Sequence, residues 1–388
     1  MITLNSADSA LKSFYLDAIS EALNYKANPF LAKLQQSSSD VVGKDVRKVF
    51  RNSFEDGIAA GTETGDLPKA YKSKYQTFVA PLKNLYGTIE ISDKALRASA
   101  NNEGAFVNIL NEEMNALIKN ATYNFSRMVF GDGNGSIATI QSIVEGEITV
   151  DNIRPFYVGM KISLGVLEAY EECIVEEVNK TKSTIRVYCE SGGYIDDVVL
   201  PAGTKAYLYG AKGNELTGLE AIFSDKPLYG VARSVEGMKP YTANVNNNAI
   251  TENDIQTAID NVEERTGCKV DMIFCSWGVR RVLQDYYRKA GVEVPMMKAA
   301  DGEMVMHFNG IPVYVDRFCP KGTMYLLTTE NFKLHQLCDW QWLEAEDGKI
   351  LKQLSGKPVY QATLVKYAEL LCENPGAQAM IQGIAETV

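Results

Sequence analysis

Apolar residues recur every three or four positions along one stretch: Phe106, Ile109, Leu110, Met114, Leu117, Ile118, Ala121, Phe125, Met128 and Val129. That spacing lines one face of a helix. It predicts a helix from Glu103 to Phe130, a rod of roughly 42 Å at 1.5 Å per residue. Ser92 can cap a short preceding turn, Asp93 adds favourable charge there, and Asn101-Asn102 interrupt that turn before the rod begins. Gly131 is expected to end the rod by taking the left-handed conformation.

Elsewhere the period changes. Residues 1–45 mix a modest helical stripe (Leu11, Phe14, Tyr15, Ala18, Ile19, Leu23) with Asn28-Pro29 and a polar run, an arm or a frayed terminus. From Val46 to Ile91 the pattern is extended, with Val46, Lys48, Phe50 and Phe54 on one limb and Tyr75, Phe78, Val79 and Leu82 to Ile91 on the other. Between the limbs, Asp56 to Lys74 is rich in Gly, Thr and Lys, and such a tip cannot anchor itself in a core. Residues 137–213 read as short strands at sandwich or barrel spacing, an all-β module that interrupts segments belonging together.

After a connector at 214–250, Thr251 to Asp254 has the form of a capping box, followed by the stripe Ile255, Ala258, Ile259 and Val262, with Gly267 as the stop. Val270 to Cys275 is a buried strand, and Ser276 caps a helix that ends at Gly291. Asn309-Gly310 turns a hairpin between Met304–Phe308 and Ile311–Val315. Strands at Met324–Thr328, Phe332–Leu337, Trp340–Ala345, Tyr360–Glu373 and Ala379–Ile384 complete an α+β chain.

With 388 residues and 46% hydrophobic content, the chain can bury one large core or two to three smaller ones. A net charge of -10 argues against a protein built chiefly to grip phosphates, while leaving weak contact with nucleic acid open. No apolar run approaches a membrane span and the start lacks a secretion signal, so folding in the cytoplasm is expected. Seven scattered cysteines without a Cys-x-x-Cys are read as buried thiols, not disulfides or metal ligands.

Catalytic readings are weak. Phe274-Cys-Ser276-Trp-Gly278 lies at a strand-to-helix turn like a hydrolase nucleophile elbow, with Asp301 or Asp316 and then His335 in triad order. An elbow needs small flanking residues, however, and Phe274 and Trp277 are large, so Ser276 reads as a helix cap. His307 and His335 read as ordinary strand histidines. Gly131-Asp-Gly133-Asn-Gly135 follows its helix, which fails a dinucleotide fingerprint, and a calcium loop would require a glutamate where Ile143 stands. No catalytic, metal or cofactor-binding residue is therefore assigned.

The order of segments resembles the tailed-bacteriophage major capsid protein family, whose shell fold is shared with encapsulins. The resemblance rests on TETGDLP (62–68) leading into TFVAPLKNLYGTIEISDKALRAS (77–99), then RMVFGDGNGS (127–136), NELTGLEAIF (214–223), HFNGIPVYVD (307–316) and TMYLLTTENFKLHQL (323–337). It implies an N-terminal arm at 1–45, an extended loop at 46–91, a spine helix of the peripheral domain at 92–136 and an inserted β domain at 137–213. It further implies a peripheral connector at 214–250, an axial domain at 251–339, peripheral strands at 340–372 and a terminal strand at 373–388 returning to the axial domain.

The loop would contact a neighbouring subunit through Arg51, Phe54, Glu63, Leu67, Pro68, Lys69, Tyr71, Lys72 and Lys74. Certain members join lysine to asparagine between subunits, but Lys69, Lys72 and Lys74 read as ordinary solvated charges. The implied function is a capsid subunit that self-assembles into hexamers and pentamers of an icosahedral head around double-stranded DNA, with no cofactor and no membrane. Its implied partners are a portal, a separate scaffolding protein, the packaged DNA by weak contact and, in some members, a decoration protein. Location would be the virion, assembled in the host cytoplasm. An encapsulin-like cargo shell is the alternative within the fold, made less apt by the inserted segment. A serine hydrolase using Ser276 is the alternative outside it.

Overall fold

The structure is a computed structural model that describes residues 15–26, 28–51, 60–66, 75–94, 103–165, 170–195, 201, 203–235, 237–299 and 302–386. Its chain divides into two units, one of Met1–Lys33, Lys83–Glu220 and Gln336–Ala368, the other of Leu34–Leu82, Ala221–His335 and Glu369–Val388.

In the first unit the predicted rod is one helix, Glu103–Phe130, with Met114, Phe125, Val129 and Phe130 buried. Strand Lys83–Ser92 runs antiparallel to strand Val359–Cys372, from Lys83 opposite Ala368 to Ser92 opposite Val359. Along the longer strand Ala362, Leu364, Lys366 and Ala368 alternate onto one buried face. Of the segment read as an arm, residues 15–26 and 28–33 are the described part that belongs to this unit. Helix Leu16–Glu21, the π-turn Ala22–Lys26 and helix Pro29–Lys33 bury Ile19, Leu23, Phe30 and Leu31. Asn28 caps the last of these by accepting from Phe30 N at 2.8 Å.

The rod does not end as its sequence suggests. Gly131 keeps a negative φ, its N–H donating to Met128 O at 3.1 Å in a tightened last turn; the left-handed glycines are Gly133 and Gly135. What closes the end is Gly218, where an added Cβ would meet Met128 O and come within 2.6 Å of both Val129 O and Gly131 O. Backbone thus approaches the carbonyl end of the helix where only hydrogen fits.

The described strands between Ser136 and Leu208 form a barrel. Around the ring run Ser136–Val144, Glu147–Val150, Thr184–Cys189, Cys173–Asn179, Lys161–Ser163 and Lys205–Leu208, the last pairing again with the first, all antiparallel. Closure leaves no open edge along this ring. Ile148, Met160, Ile162, Val175, Ile185 and Val187 are among the residues that fill it. The first hairpin turns at Glu145-Gly146, both at positive φ, as a two-residue turn demands. One cysteine expectation is overturned here: Cys173 and Cys189 form a disulfide, with Cα atoms 3.9 Å apart. Hairpin register, shifted by a bulge between Arg186 and Val187, sets them directly opposite. Cys275, Cys319 and Cys372 are buried, while Cys268 and Cys338 are partly exposed.

In the second unit, seven described strands form one sheet in the order Tyr241–Asn248, Ala379–Ile384, Met324–Leu327, Met272–Cys275, Ile311–Val315, Met304–Phe308 and Met296–Lys298. The chain's last described strand therefore lies inside the sheet, and the connector supplies an outer one. Helices Glu252–Thr266 and Trp277–Lys289 bury Ile255, Ala258, Val262, Val279, Leu283 and Tyr287 against Ile273, Leu326 and Ile381. The capping box is formed: Thr251 Oγ1 accepts from Asp254 N, and Asp254 Oδ2 accepts from Thr251 N at 2.9 Å. Asn309 and Gly310 both take positive φ in the expected hairpin. Where two strands were expected at 332–345, the structure has a single one, Phe332–Trp342.

Candidate functional site

The described part of the loop at 46–91 that belongs to the second unit contains a pair of strands. Asp45–Arg51 and Tyr75–Pro81 run antiparallel, with Val46 opposite Ala80, Lys48 opposite Phe78 and Phe50 opposite Gln76 on one face. That face is anchored. Phe78 stacks on Phe50 at 4.2 Å between ring centroids and meets Tyr229 edge-on at 5.5 Å, and Lys48 reaches Asp40 at 2.8 Å. The Lys48 hydrogen bond, working against burial, lowers the Asp40 pKa. Tyr229 is itself fixed, donating to Leu370 O and accepting from Cys372 N, and burial pushes its hydroxyl well above the ordinary tyrosine value.

The opposite face of this ribbon shows apolar side chains to solvent: Val49 is 59% exposed, Tyr75 61% and Val79 42%. These residues were not among the sequence candidates, although their alternation with Val46, Lys48 and Phe50 is the signal that identifies them. Of the candidates, Glu63 is exposed in the described stretch 60–66, and Arg51 pairs in register with Tyr75 at the end of its strand. Phe54, Leu67, Pro68, Lys69, Tyr71, Lys72 and Lys74 lie outside the described residues.

Ser276 is a helix cap. Its Oγ accepts from Val279 N and donates to Glu386 Oε1, which also accepts from Gly322 N at 2.7 Å. A carboxylate from the chain's end thus sits at the start of helix Trp277–Lys289, where the helix dipole favours it. His307 Nδ1 accepts from Gly310 N at 3.2 Å. His335 is buried, burial lowering its pKa against the opposing pull of Asp40 and Glu373. Neither imidazole is hydrogen-bonded to Ser276. Among the described residues, no cluster of His, Cys, Asp and Glu could hold a metal ion, and no helix is long and apolar enough to cross a membrane.

Two buried charge sites lie in the first unit. Arg127, in the last turn of the rod, holds Glu215 with two parallel hydrogen bonds, Nη1 to Oε2 at 2.9 Å and Nη2 to Oε1. This geometry is the planar fork that arginine offers a carboxylate. On the sheet, Lys366 donates to Asp339 Oδ1 at 2.8 Å and to Asn24 Oδ1 at 3.0 Å. Burial lowers the Lys366 pKa, with Asp339 resisting. Burial would raise Asp339, but bonding and charge from Lys366, with help from Asn24, outweigh it and leave its pKa lowered. The alternation Ala362, Leu364, Lys366, Ala368 was the legible sign of a lysine at a core position.

No protein-family model matches the sequence, and no curated protein matches it. Solved structures do. One chain of the cyanophage A-1(L) capsid asymmetric unit matches with a TM-score of 0.54 at 10% identity, over 91% of this chain and 90% of that one. The capsid of a native GTA particle matches at TM-score 0.48 and 12% identity, over 94% and 91% of the two chains. The holo-SrpI encapsulin complex of Synechococcus elongatus matches at 0.46 and 10%, over 93% and 90%. This chain has the mixed α+β fold of phage capsid proteins.

Proposed function

We propose, taking that fold as the premise, that the chain is the major capsid protein of a tailed bacteriophage and that its copies close into an icosahedral head around double-stranded DNA. The single observation supporting this most is likeness to the cyanophage capsid chain over nine-tenths of both molecules. In this reading residues 46–91 reach over a neighbour and 92–136 form the spine. Residues 137–213 are an inserted domain, 214–250 and 340–372 belong to the peripheral domain, and 251–339 with 373–388 form the axial domain. The exposed apolar face of the 45–51 and 75–81 ribbon is where a neighbouring copy would seat. An obligate interface commonly buries on the order of 2,000–5,000 Å², and surface shared this way stabilises each copy only in the lattice.

Hexamers and pentamers, a portal and a separate scaffolding protein are the corresponding partners. The acidic balance of the chain suits DNA that is enclosed and only weakly touched. Electron microscopy of the full-length protein, expressed alone and together with the scaffolding protein of its phage, tests the proposal. Closed shells are expected in at least one preparation, and monomers in both would refute the reading. Nuclease-protected DNA inside particles from infected cells separates a genome container from a protein-cargo shell.

A further inference from the structure

Lysine is costly to bury, and an ion pair alone leaves one feature of the Lys366 site unexplained. Lys366 is 1% exposed, yet its Nζ faces both a carboxylate and a carboxamide, with the Trp340 ring centroid 5.7 Å away. The Asn24 amide is oriented in a particular sense. Its Oδ1 accepts from the amine at 3.0 Å, while its Nδ2 donates to Asp339 Oδ1 and Oδ2, at 3.1 Å each, and to Ser20 Oγ at 3.2 Å. Ser20 Oγ in turn donates to Asp339 Oδ2 at 3.1 Å. Asp339 therefore touches the amine that could attack and the nitrogen that would leave. Phe125 packs edge-on against Trp340 at 5.1 Å, so aromatic rings wall the site.

We propose that Lys366 and Asn24 join in an intramolecular isopeptide bond, with Asp339 carrying the protons. Asp339 first takes a proton from the Lys366 ammonium across the 2.8 Å hydrogen bond, leaving a neutral amine beside a carboxylic acid. The amine lone pair attacks Asn24 Cγ and a C–N bond forms. Asp339 passes its proton to Nδ2 and receives the surplus proton of the new C–N nitrogen; the Cγ–Nδ2 bond then breaks and ammonia departs. The ammonia takes up the proton left on Asp339. Overall, one ammonium and one carboxamide become one secondary amide and one ammonium, with nothing oxidised or reduced.

Three physical factors favour the step. The amine is held within hydrogen-bond reach of the carboxamide it attacks, 3.0 Å from Oδ1, so the two groups need not find each other by diffusion. Burial lowers the Lys366 pKa, so the neutral nucleophile is more accessible than on a solvated lysine. The Asp339 side chain is 43% exposed, giving ammonia an exit to water.

The bond would tie the 15–33 segment to the sheet across 342 positions of sequence. It closes within one chain, unlike a bond between subunits, and it does not rest on the capsid reading. Intact mass of the denatured full-length protein tests it: the expected value is lighter than the sequence by one ammonia. Proteolysis should then release a branched peptide joining residues 24 and 366. Full mass with both peptides separate, after prolonged incubation of the folded protein, would overturn the proposal. Asp339→Asn should retain full mass; if it loses ammonia as readily as the native chain, Asp339 is not the proton carrier. Should that variant fail to fold, the branched peptide in the native chain remains decisive.

Discussion

Glu215 and Arg127 are both buried, so removing one partner strands the other charge in a poorly solvated place. Glu215→Gln is expected to lower stability by about 3–5 kcal/mol, the usual penalty for breaking a buried pair from one side. A fall in the urea midpoint would show it, and an unchanged midpoint would mean the pair contributes nothing. His335 predicts a pH effect of definite sign. Its folded pKa is lowered, so below about 6.5 the unfolded chain binds a proton that the folded chain resists. Stability is accordingly lost as pH falls from about 6.5 towards the lower folded value. Urea unfolding of the native chain and of His335→Leu at about pH 7.5 and about pH 5.5 should show a steeper acid loss in the native chain. Equal losses would remove His335 from the account. The histidine's place in a strand was legible in the sequence; its burial and the charges facing it were not, because Asp40 and Glu373 come from distant sequence.

At the scale of elements, the end of the 103–130 helix separates a local from a non-local cause. The sequence pointed to Gly131, but Gly131 has an ordinary φ and an added Cβ there would come no closer than 3.5 Å to Met128 O. Gly131→Ala should therefore be near neutral, within about 1 kcal/mol. Gly218→Ala forces a methyl group into three carbonyl oxygens and should destabilise by roughly 1–3 kcal/mol or more. Thermal melts of the two variants side by side decide between the glycines. Capping motifs behave differently, since Thr251 and Asp254 complete each other within one turn, so their pattern was readable without any partner. The barrel lies between these cases. Strand alternation signalled it, whereas ring closure and the Cys173–Cys189 pairing depend on a register that spacing alone does not encode.

For the whole molecule, the ribbon of strands 45–51 and 75–81 is anchored on one face and exposed on the other. Val49→Lys combined with Tyr75→Lys should leave the isolated subunit's stability nearly unchanged, within about 0.5 kcal/mol per site. Particle yield should nevertheless drop sharply under the proposed function. Circular dichroism would confirm the fold and sedimentation would report assembly; normal shells from the double variant would move the neighbour contact elsewhere.

By itself the amino-acid order determined what neighbouring residues settle among themselves. The 28-residue helix, the Thr251 cap, the Asn309-Gly310 hairpin and the β-rich character of 137–213 all follow from hydrogen bonds and side-chain periods a few positions long. Only tertiary structure decided which glycine meets the helix end, which cysteines face each other, where the last strand inserts, and what Lys366 touches. Those outcomes arise between segments up to hundreds of residues apart, where chain register and close packing, not local preference, select the partner.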